Sequence, residues 1–286
     1  MMEREIKVPM EFNAGMKKYE PDMEKLSEDL HDEILIRKIT SKKEFSRLPE
    51  TDVEMAFNRF DKRNISDEEK VKLTRELLHK VFSSFTSSKL LSPKNKTAEW
   101  ILRKHLSTRE RLPYYNEIYP RILKDFGKKV SIIDLAAGVN GFSYDFLKNV
   151  SEKAEYFAIE SIGQLVDLTN NYFVKEKIPG KAIQMSLFDL TEVKETISKT
   201  NKPRIVFLFK AIDSLEMIEN NYSLKLIKEI TPFSDLIVVS FAVESMIKRK
   251  KFRANRTWIT DFIENNFHIK DEFEIGGEKY ICFAKK

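Results

Sequence analysis

Val130 to Ser143, VSIIDLAAGVNGFS, is the stretch whose reading decides the fold. A short apolar run, Val130-Ser131-Ile132-Ile133, leads into Asp134, then small residues, then Gly138 and Gly141. A continuous apolar run bounded by turn residues reads as a buried parallel strand. The glycines after it let the backbone turn tightly and let a ligand approach where no side chain stands. Phe142 to Val150 then reads as a helix. Strand, glycine turn and helix are the usual way for an α/β sheet to hold a nucleotide-like ligand at its carboxyl edge. The same pattern also arises for packing alone, so the neighbouring segments have to decide.

Downstream the chain alternates. Strands are predicted at Val130–Leu135, Glu155–Glu160, Lys181–Leu187, Arg204–Phe209 and Asp235–Phe241, with helices such as Gln164–Lys175 and Ser223–Glu229 between them. Such alternation predicts a parallel sheet with helices on both faces. The end differs: Phe267–Ile275 and Lys279–Ala284 flank Gly276-Gly277, a hairpin signal. Five βα units closed by an antiparallel hairpin look like a class I, Rossmann-like, S-adenosylmethionine-dependent methyltransferase sheet. A dehydrogenase sheet more often continues with another crossover helix.

Upstream there is no strand signal. Residues 1–21 are polar and without period and read as a tail or arm. From 22 to 126 the spacing is helical, with Val53, Phe57 and Phe60 on one face and Leu73, Leu77, Leu78, Val81 and Phe82 on another. Pro49 is expected to break one helix and Thr51 to cap the next, while Ser66 to Glu69 has the form of a capping box. The expected organisation is therefore an arm (1–21), an all-helical domain (22–126) and an α/β domain (127–286).

Composition excludes several classes. One cysteine, Cys282, permits neither an internal disulfide nor a metal site built on cysteines. A formal net charge of +5 is far from that of a polycation, yet allows a polyanionic partner. The start, MMEREIKVPMEF, lacks an apolar signal core, and no apolar run reaches membrane-spanning length. A cytoplasmic protein with no membrane partner is expected.

Two acids can carry ligand chemistry. Glu160 ends the second strand about twenty residues after the glycine turn, where a carboxylate accepts from ribose hydroxyls; the plainer reading is a solvated strand-end acid. Asp189, in SLFDL after the third strand, stands where an acid often meets an adenine amino group; it is equally suited to cap a helix. With Asp134–Gly138 these acids lie at the ends of three successive strands, which points to an adenosine-containing ligand. In HLSTRERLP, Ser107 and Glu110 form another capping box, predicting that Arg111 projects from the first turn of a helix. A guanidinium there can grip a carboxylate in bidentate fashion, or simply salt-bridge on the surface.

HLSTRERLP, DLAAGVNG, FLFKAIDSLE and the closing IGGEKYICFAKK, in this order, resemble the aminoglycoside-resistance 16S rRNA (guanine-N7) methyltransferases, and SKKEFSRLPETDVEMAF resembles their N-terminal domain. The resemblance runs from about residue 34 onward. It implies methyl transfer from S-adenosylmethionine to N7 of a guanine in small-subunit rRNA, with the 30S subunit as partner and antibiotic resistance as a conceivable role. It also implies that Arg111 holds the methionine carboxylate. Ala136 to Gly138 would bracket the methionine, Glu160 the ribose, and Asp189 with Leu190 the adenine. Ala137 stands where the family has Cys, and Gly141 where it has Pro, a change expected to loosen the turn. A basic loop after the fifth strand replaces the family's glycine-rich one.

That loop is the strongest nucleic-acid signal. Lys248, Arg249, Lys250, Lys251 and Arg253 surround Phe252, with Trp258 beyond. Dense cations neutralise phosphates and an aromatic can stack on an extruded base. Lys42 and Lys43, with Arg47, Lys62 and Arg63, can extend the surface, although a solvated helix face explains them too. Guanine N7 has a free lone pair and no proton to remove, so no general base is needed. Lys210, after the fourth strand, is the residue best placed to position substrate. The competing readings are a non-catalytic RNA-binding or ribosome-binding protein and a methyltransferase for another RNA; a monomer is expected in each case.

Overall fold

A computed structural model of the chain describes residues 23–61, 63–83, 87–91, 96–243 and 256–286. Three helices come first: α1 (Met23–Thr40), α2 (Glu50–Asn58) and α3 (Asp67–Leu78), the last continuing into a π turn at His79–Ser83. Then follow α4 (Ala98–Lys104), α5 (Leu106–Arg111) and α6 (Tyr115–Leu123). The alternating part comprises β1 (Ser131–Leu135), α7 (Tyr144–Lys148), β2 (Glu155–Glu160), α8 (Gly163–Glu176), β3 (Gly180–Gln184), α9 (Leu190–Ser198), β4 (Arg204–Phe209), α10 (Ile212–Ile218), α11 (Tyr222–Ile230) and β5 (Leu236–Ala242). It closes with α12 (Thr257–Asn266), β6 (Phe267–Ile275) and β7 (Glu278–Lys285).

The strands form one seven-stranded sheet in the order β3-β2-β1-β4-β5-β7-β6. β1 to β5 are parallel; β7 runs antiparallel to both β5 and β6. Gly276 and Gly277 turn the terminal hairpin with φ of 62° and 73°, a conformation that favours glycine. The strand period of two sorts side chains to the two faces. On β4, Ile205, Phe207 and Phe209 join one apolar cluster while Val206 and Leu208 join the other. β5 divides in the same way, with Leu236 and Val238 on one face and Ile237, Val239 and Phe241 on the other.

Several local expectations are corrected. β3 stops at Gln184 and does not run to Leu187, because its partner β2 ends at Glu160 and leaves no further ladder to extend. The helix expected from Phe142 begins as a 3-10 turn, Asn140–Ser143, before α7. Pro49, not Thr51, occupies the N-cap of α2, so Thr51 lies in its first turn. Ser66 does cap α3, its hydroxyl accepting from Glu69 N at 3.3 Å. Ser107 caps nothing: α5 starts at Leu106 with His105 as its N-cap, and Arg111 therefore falls in the last turn.

Packing draws its line away from the switch in periodicity. Leu35, Ile39, Phe45, Val53, Phe57, Val71 and Leu78 form a separate small core for α1 to α3. Ile101, Leu102, Tyr115, Tyr119 and Ile122, from α4 and α6, pack instead in the core on the sheet. The small helical cluster is docked across one end of the sheet. The Arg47 carbonyl accepts from Gly163 N at 3.1 Å, and its guanidinium pairs with Asp167 of α8. Arg59 donates to the Ile218 carbonyl at 3.0 Å. The cluster thereby roofs the carboxyl edge of the strands.

Candidate active site

The cleft under that roof is floored by the ends of β1, β2 and β4 and is also lined by Asp52, Val81 and Phe82 from the helical cluster. After β1 the backbone turns twice into the left-handed region, at Ala136 (φ 57°) and Gly138 (φ 54°). A Cβ on Gly138 would also lie 2.8 Å from the His105 ring, so position 138 needs glycine for both reasons. Gly141 does not loosen the turn as expected. It is buried, and a Cβ there would meet Phe173 at 2.9 Å, so its smallness lets the turn seat against α8.

Glu160 sits where the sequence places it, at the end of β2 and in the cleft. One carboxylate oxygen accepts from Gly138 N at 2.8 Å and the other from Ile162 N at 2.8 Å. Burial outweighs these donors and pushes its pKa up to about 7. Asp134 is likewise buried and pushed up to about 6, although Tyr156 and Asn140 donate to it at 2.5 and 2.9 Å. Asp52 is raised to about 6, again by burial.

Arg111 is 2% exposed and lines the same cleft. It grips both oxygens of Glu278 through Nε at 3.3 Å, Asn140 Oδ1 through Nη1 at 3.0 Å, and Ser107 Oγ through Nη2 at 2.5 Å. Its guanidinium also lies 4.8 Å from the centre of the Phe209 ring. Tyr115 donates to the same Asn140 oxygen at 2.6 Å. Glu278 is equally buried; burial pushes its pKa up, but the cations Arg111 and Lys210 outweigh that and hold it below the usual carboxylate range. Lys210 Nζ lies 3.1 Å from Glu278 and 2.7 Å from Glu110. Arg111, Glu278, Lys210 and Glu110 thus form one chain of alternating charge that runs from the buried Arg111 and Glu278 out to the half-buried Glu110.

The sequence expectation for Lys210 is changed by this. It faces the cleft from a left-handed residue (φ 56°), but its ammonium is held in two internal ion pairs, so it braces the site before it can meet any substrate. Asp189 is exposed and caps α9, accepting from Glu192 N at 3.0 Å. With Leu190 it stands outside the cleft lining, because the chain leaves the sheet at Gln184 and turns away before reaching them. Lys42 and Lys43 are exposed in the turn after α1, and Gln164 donates to the Lys43 carbonyl at 3.2 Å. Arg47 is engaged with Asp167 in docking the helical cluster. Lys62, Lys248, Arg249, Lys250, Lys251, Phe252 and Arg253 lie outside the described residues. Arg256, just past that loop, is tied to Asp213 and to the Ala242 carbonyl at 2.5 Å each. Among the described residues no cluster of His, Cys, Asp and Glu could hold a metal ion, and no helix is long and apolar enough to cross a membrane.

Sequence reasoning gave no site role to Asp52, Asn140 or Glu278, and read Glu110 only as half of a capping box. Glu278 carried a signal: an acid right after a hairpin turn, two residues ahead of the apolar run Tyr280–Ala284. Asp52 carried none, since it sits among acids at a helix start, where solvated carboxylates are ordinary.

The raised carboxyls set a pH dependence. Between about pH 4.5 and 7 native Glu160 keeps a proton that the unfolded chain has released, so this group's contribution to stability falls as pH rises through that window. His105, held neutral by burial with its pKa near 3, acts in the opposite sense up to its ordinary range. A difference measurement isolates Glu160. Relative to wild type, Glu160→Gln in the ligand-free protein gains about 2–3 kcal/mol between pH 5 and pH 8 in denaturant titrations. A constant difference across that range would show that Glu160 is ionised throughout.

The sheet order, the antiparallel seventh strand and a cleft over the carboxyl edge define a class I methyltransferase fold. Residues 93–264 match the ribosomal RNA methyltransferase (FmrO) family, and the chain belongs to that family. Among curated proteins it is 27% identical over 148 residues to the 16S rRNA (guanine(1405)-N(7))-methyltransferase of Micromonospora rosea, covering 51% of this chain and 50% of that one. It is 22% identical over 188 residues to the protein of the same description from Proteus mirabilis, covering 65% and 64%. The chain therefore spans about half the length of the Micromonospora relatives it matches. In fold it superposes on 16S rRNA methyltransferase RmtF in complex with S-adenosyl-L-homocysteine (TM-score 0.71, 17% identity, 89% of this chain and 98% of that one). It also superposes on the 16S rRNA methylase RmtB (TM-score 0.68, 16% identity, 89% and 98%).

Proposed function

We propose that the chain transfers a methyl group from S-adenosylmethionine to N7 of a guanine in small-subunit rRNA. Family membership supports the reaction class, and the curated relatives from Micromonospora and Proteus, whose names specify guanine N7 of 16S rRNA, support the acceptor. The observation that carries the reading is the pair of groups that line one cleft: the buried cation Arg111 and the Glu160 carboxylate, braced by Gly138 N. These fit an amino acid carboxylate and a ribose diol respectively.

The bound cofactor would supply an electrophilic methyl on a sulfonium. The rest falls to the protein. Guanine N7 attacks with a lone pair, so no side chain has to take a proton. The residues contribute by alignment and by keeping water away. Arg111 orients one end of the cleft while Glu278, Lys210 and Glu110 prevent its guanidinium from swinging. Val81 and Phe82 close the roof with apolar surface. The helical cluster, with Lys42 and Lys43, serves as the ribosome-facing domain, and the basic segment Lys248–Arg253 contacts phosphates. A cytoplasmic monomer acting on the 30S subunit goes with this reading; light scattering on a sizing column checks the monomer.

The test is incubation with 30S subunits and labelled S-adenosylmethionine, followed by mass mapping of the rRNA. A single new methylguanine in 16S rRNA is expected. Unmodified rRNA with methylated tRNA would move the target to another RNA. Cofactor binding without transfer to any RNA would leave a non-catalytic RNA-binding protein.

A further inference from the structure

Helix α10 borders two depressions. Ser214, Leu215 and Ile218 line the cleft, while Asp213, Glu216 and Met217 line a shallow groove beside it. Arg59 at the end of α2, Asn220 and Trp258 of α12 complete that groove. Two large apolar side chains are open there. Trp258 is 36% exposed and Met217 37%, and neither joins an apolar cluster of the described residues. Their helices are anchored by other positions: Ile259 and Ile263 of α12, and Ile212 and Leu215 of α10, pack in the core on one face of the sheet. The indole and the thioether are what the fold leaves unused. Apolar exposure gathered in one depression with a polar rim marks a contact surface.

Charge and continuity identify the contact. The acids of the groove are spent internally. Asp213 pairs with the Arg256 guanidinium at 2.5 Å, and Glu216 accepts from Asn221 N and Ser223 N at 2.5 and 2.9 Å. Arg59, which donates to the Ile218 carbonyl and Asn220 Oδ1 at 3.0 and 3.3 Å, adds a cation. In the sequence the basic stretch Lys248–Arg253 ends five positions ahead of Trp258. A flat aromatic set among cations is a stacking platform for an unpaired base. An α-helix with its side chains is about 10–12 Å across. With α10 between the two depressions, a base in the groove is a neighbour of the guanine that enters the cleft, not that guanine.

We propose that Trp258, backed by Met217, stacks on an unpaired rRNA base beside the methylated guanine and holds the strand while that guanine occupies the cleft. This rests on the rRNA methyltransferase reading above. It gives the groove between α10 and α12 the task of fixing the strand next to the reacting base, and leaves cofactor binding to the cleft.

Filter binding of the full chain to 30S subunits tests it. Trp258→Ala is expected to weaken binding on the order of 10- to 100-fold, and Trp258→Phe to recover most of the loss. Both variants should keep the wild-type melting temperature and affinity for S-adenosylhomocysteine, since the indole is exposed and lies outside the cleft. The slope of log K against log salt should be unchanged, because stacking releases no counterions. Ultraviolet irradiation of the wild-type complex should crosslink Trp258 to a nucleotide of 16S rRNA. Wild-type affinity in Trp258→Ala overturns the proposal, as does a Phe variant no better than Ala or a loss that comes with a shallower salt slope. A crosslink from Trp258 to a ribosomal protein also overturns it and makes the groove a protein contact. Wild type that fails to bind 30S subunits overturns the rRNA reading itself, and the proposal with it.

Discussion

Glu278→Ala is expected to lower stability by about 3–5 kcal/mol, the range for breaking a buried ion pair by removing one partner. Glu278 is 2% exposed and touches two cations. Removing it leaves Lys210 with Glu110, but leaves Arg111 with neutral partners only, Asn140 and Ser107. Ser240 also loses its acceptor, since its hydroxyl donates to Glu278 at 2.5 Å. At roughly 2–4 °C per kcal/mol for a chain of this size, the melting temperature should drop by roughly 6–20 °C. Glu278→Gln preserves shape and one acceptor but not charge, and should fall between Ala and wild type. Denaturant titration of the three proteins decides; an Ala variant within 1 kcal/mol of wild type would mean that Arg111 re-pairs elsewhere. The position also explains why the terminal hairpin matters to the site. β7 runs antiparallel, so its first residue, Glu278, arrives at the carboxyl edge of the parallel strands, opposite Ala242 at the end of β5.

Arg111→Ala should weaken binding of S-adenosylhomocysteine on the order of 100-fold, the equivalent of one desolvated charge-assisted pair to a carboxylate. The guanidinium spends donors on Glu278, Asn140 and Ser107, and it has five N–H groups to offer. The internal partners hold the fork rigid while the remaining N–H groups are available to a ligand in the cleft. Arg111→Lys keeps a charge but not the fork, and should recover little of the loss. A ligand control separates this from misfolding. Methylthioadenosine has the nucleoside and the sulfur but no carboxylate, so its affinity should be nearly the same for wild type and for Arg111→Ala. Parallel loss for both ligands would show that Arg111 acts on the fold and not on the carboxylate.

The legible and illegible parts of the site divide by range. Glu160 was readable because it ends a strand at a fixed distance from a glycine turn, both of them local features of the chain. Arg111 was flagged by a motif, yet its helical position was misread: Ser107 looked like a cap and is instead the acceptor of Arg111, four residues on. Asp189 offered two readings, an adenine contact and a helix cap, and the structure shows the cap. The strand was expected to continue to Leu187, but β2 offers no partner past Glu160, so the chain leaves the sheet early and Asp189 turns to the surface as a cap.

By itself the sequence determined the order of strands and helices, the antiparallel hairpin, the glycine turn and the acid after β2. Those follow from side-chain periodicity and backbone preference, which act over a few residues. Only the tertiary structure decided that Glu278 would anchor Arg111 across 167 positions, that Lys210 would be locked between two acids, and that Asp52 would reach into the cleft from the helical cluster. Those depend on which elements meet at the carboxyl edge of the sheet, where burial makes each charge seek a partner that its neighbours in the chain do not supply. The turn at Val130–Ser143 supplies the floor of that cleft; its roof and its far end come from segments that carry no mark of it in their own sequence.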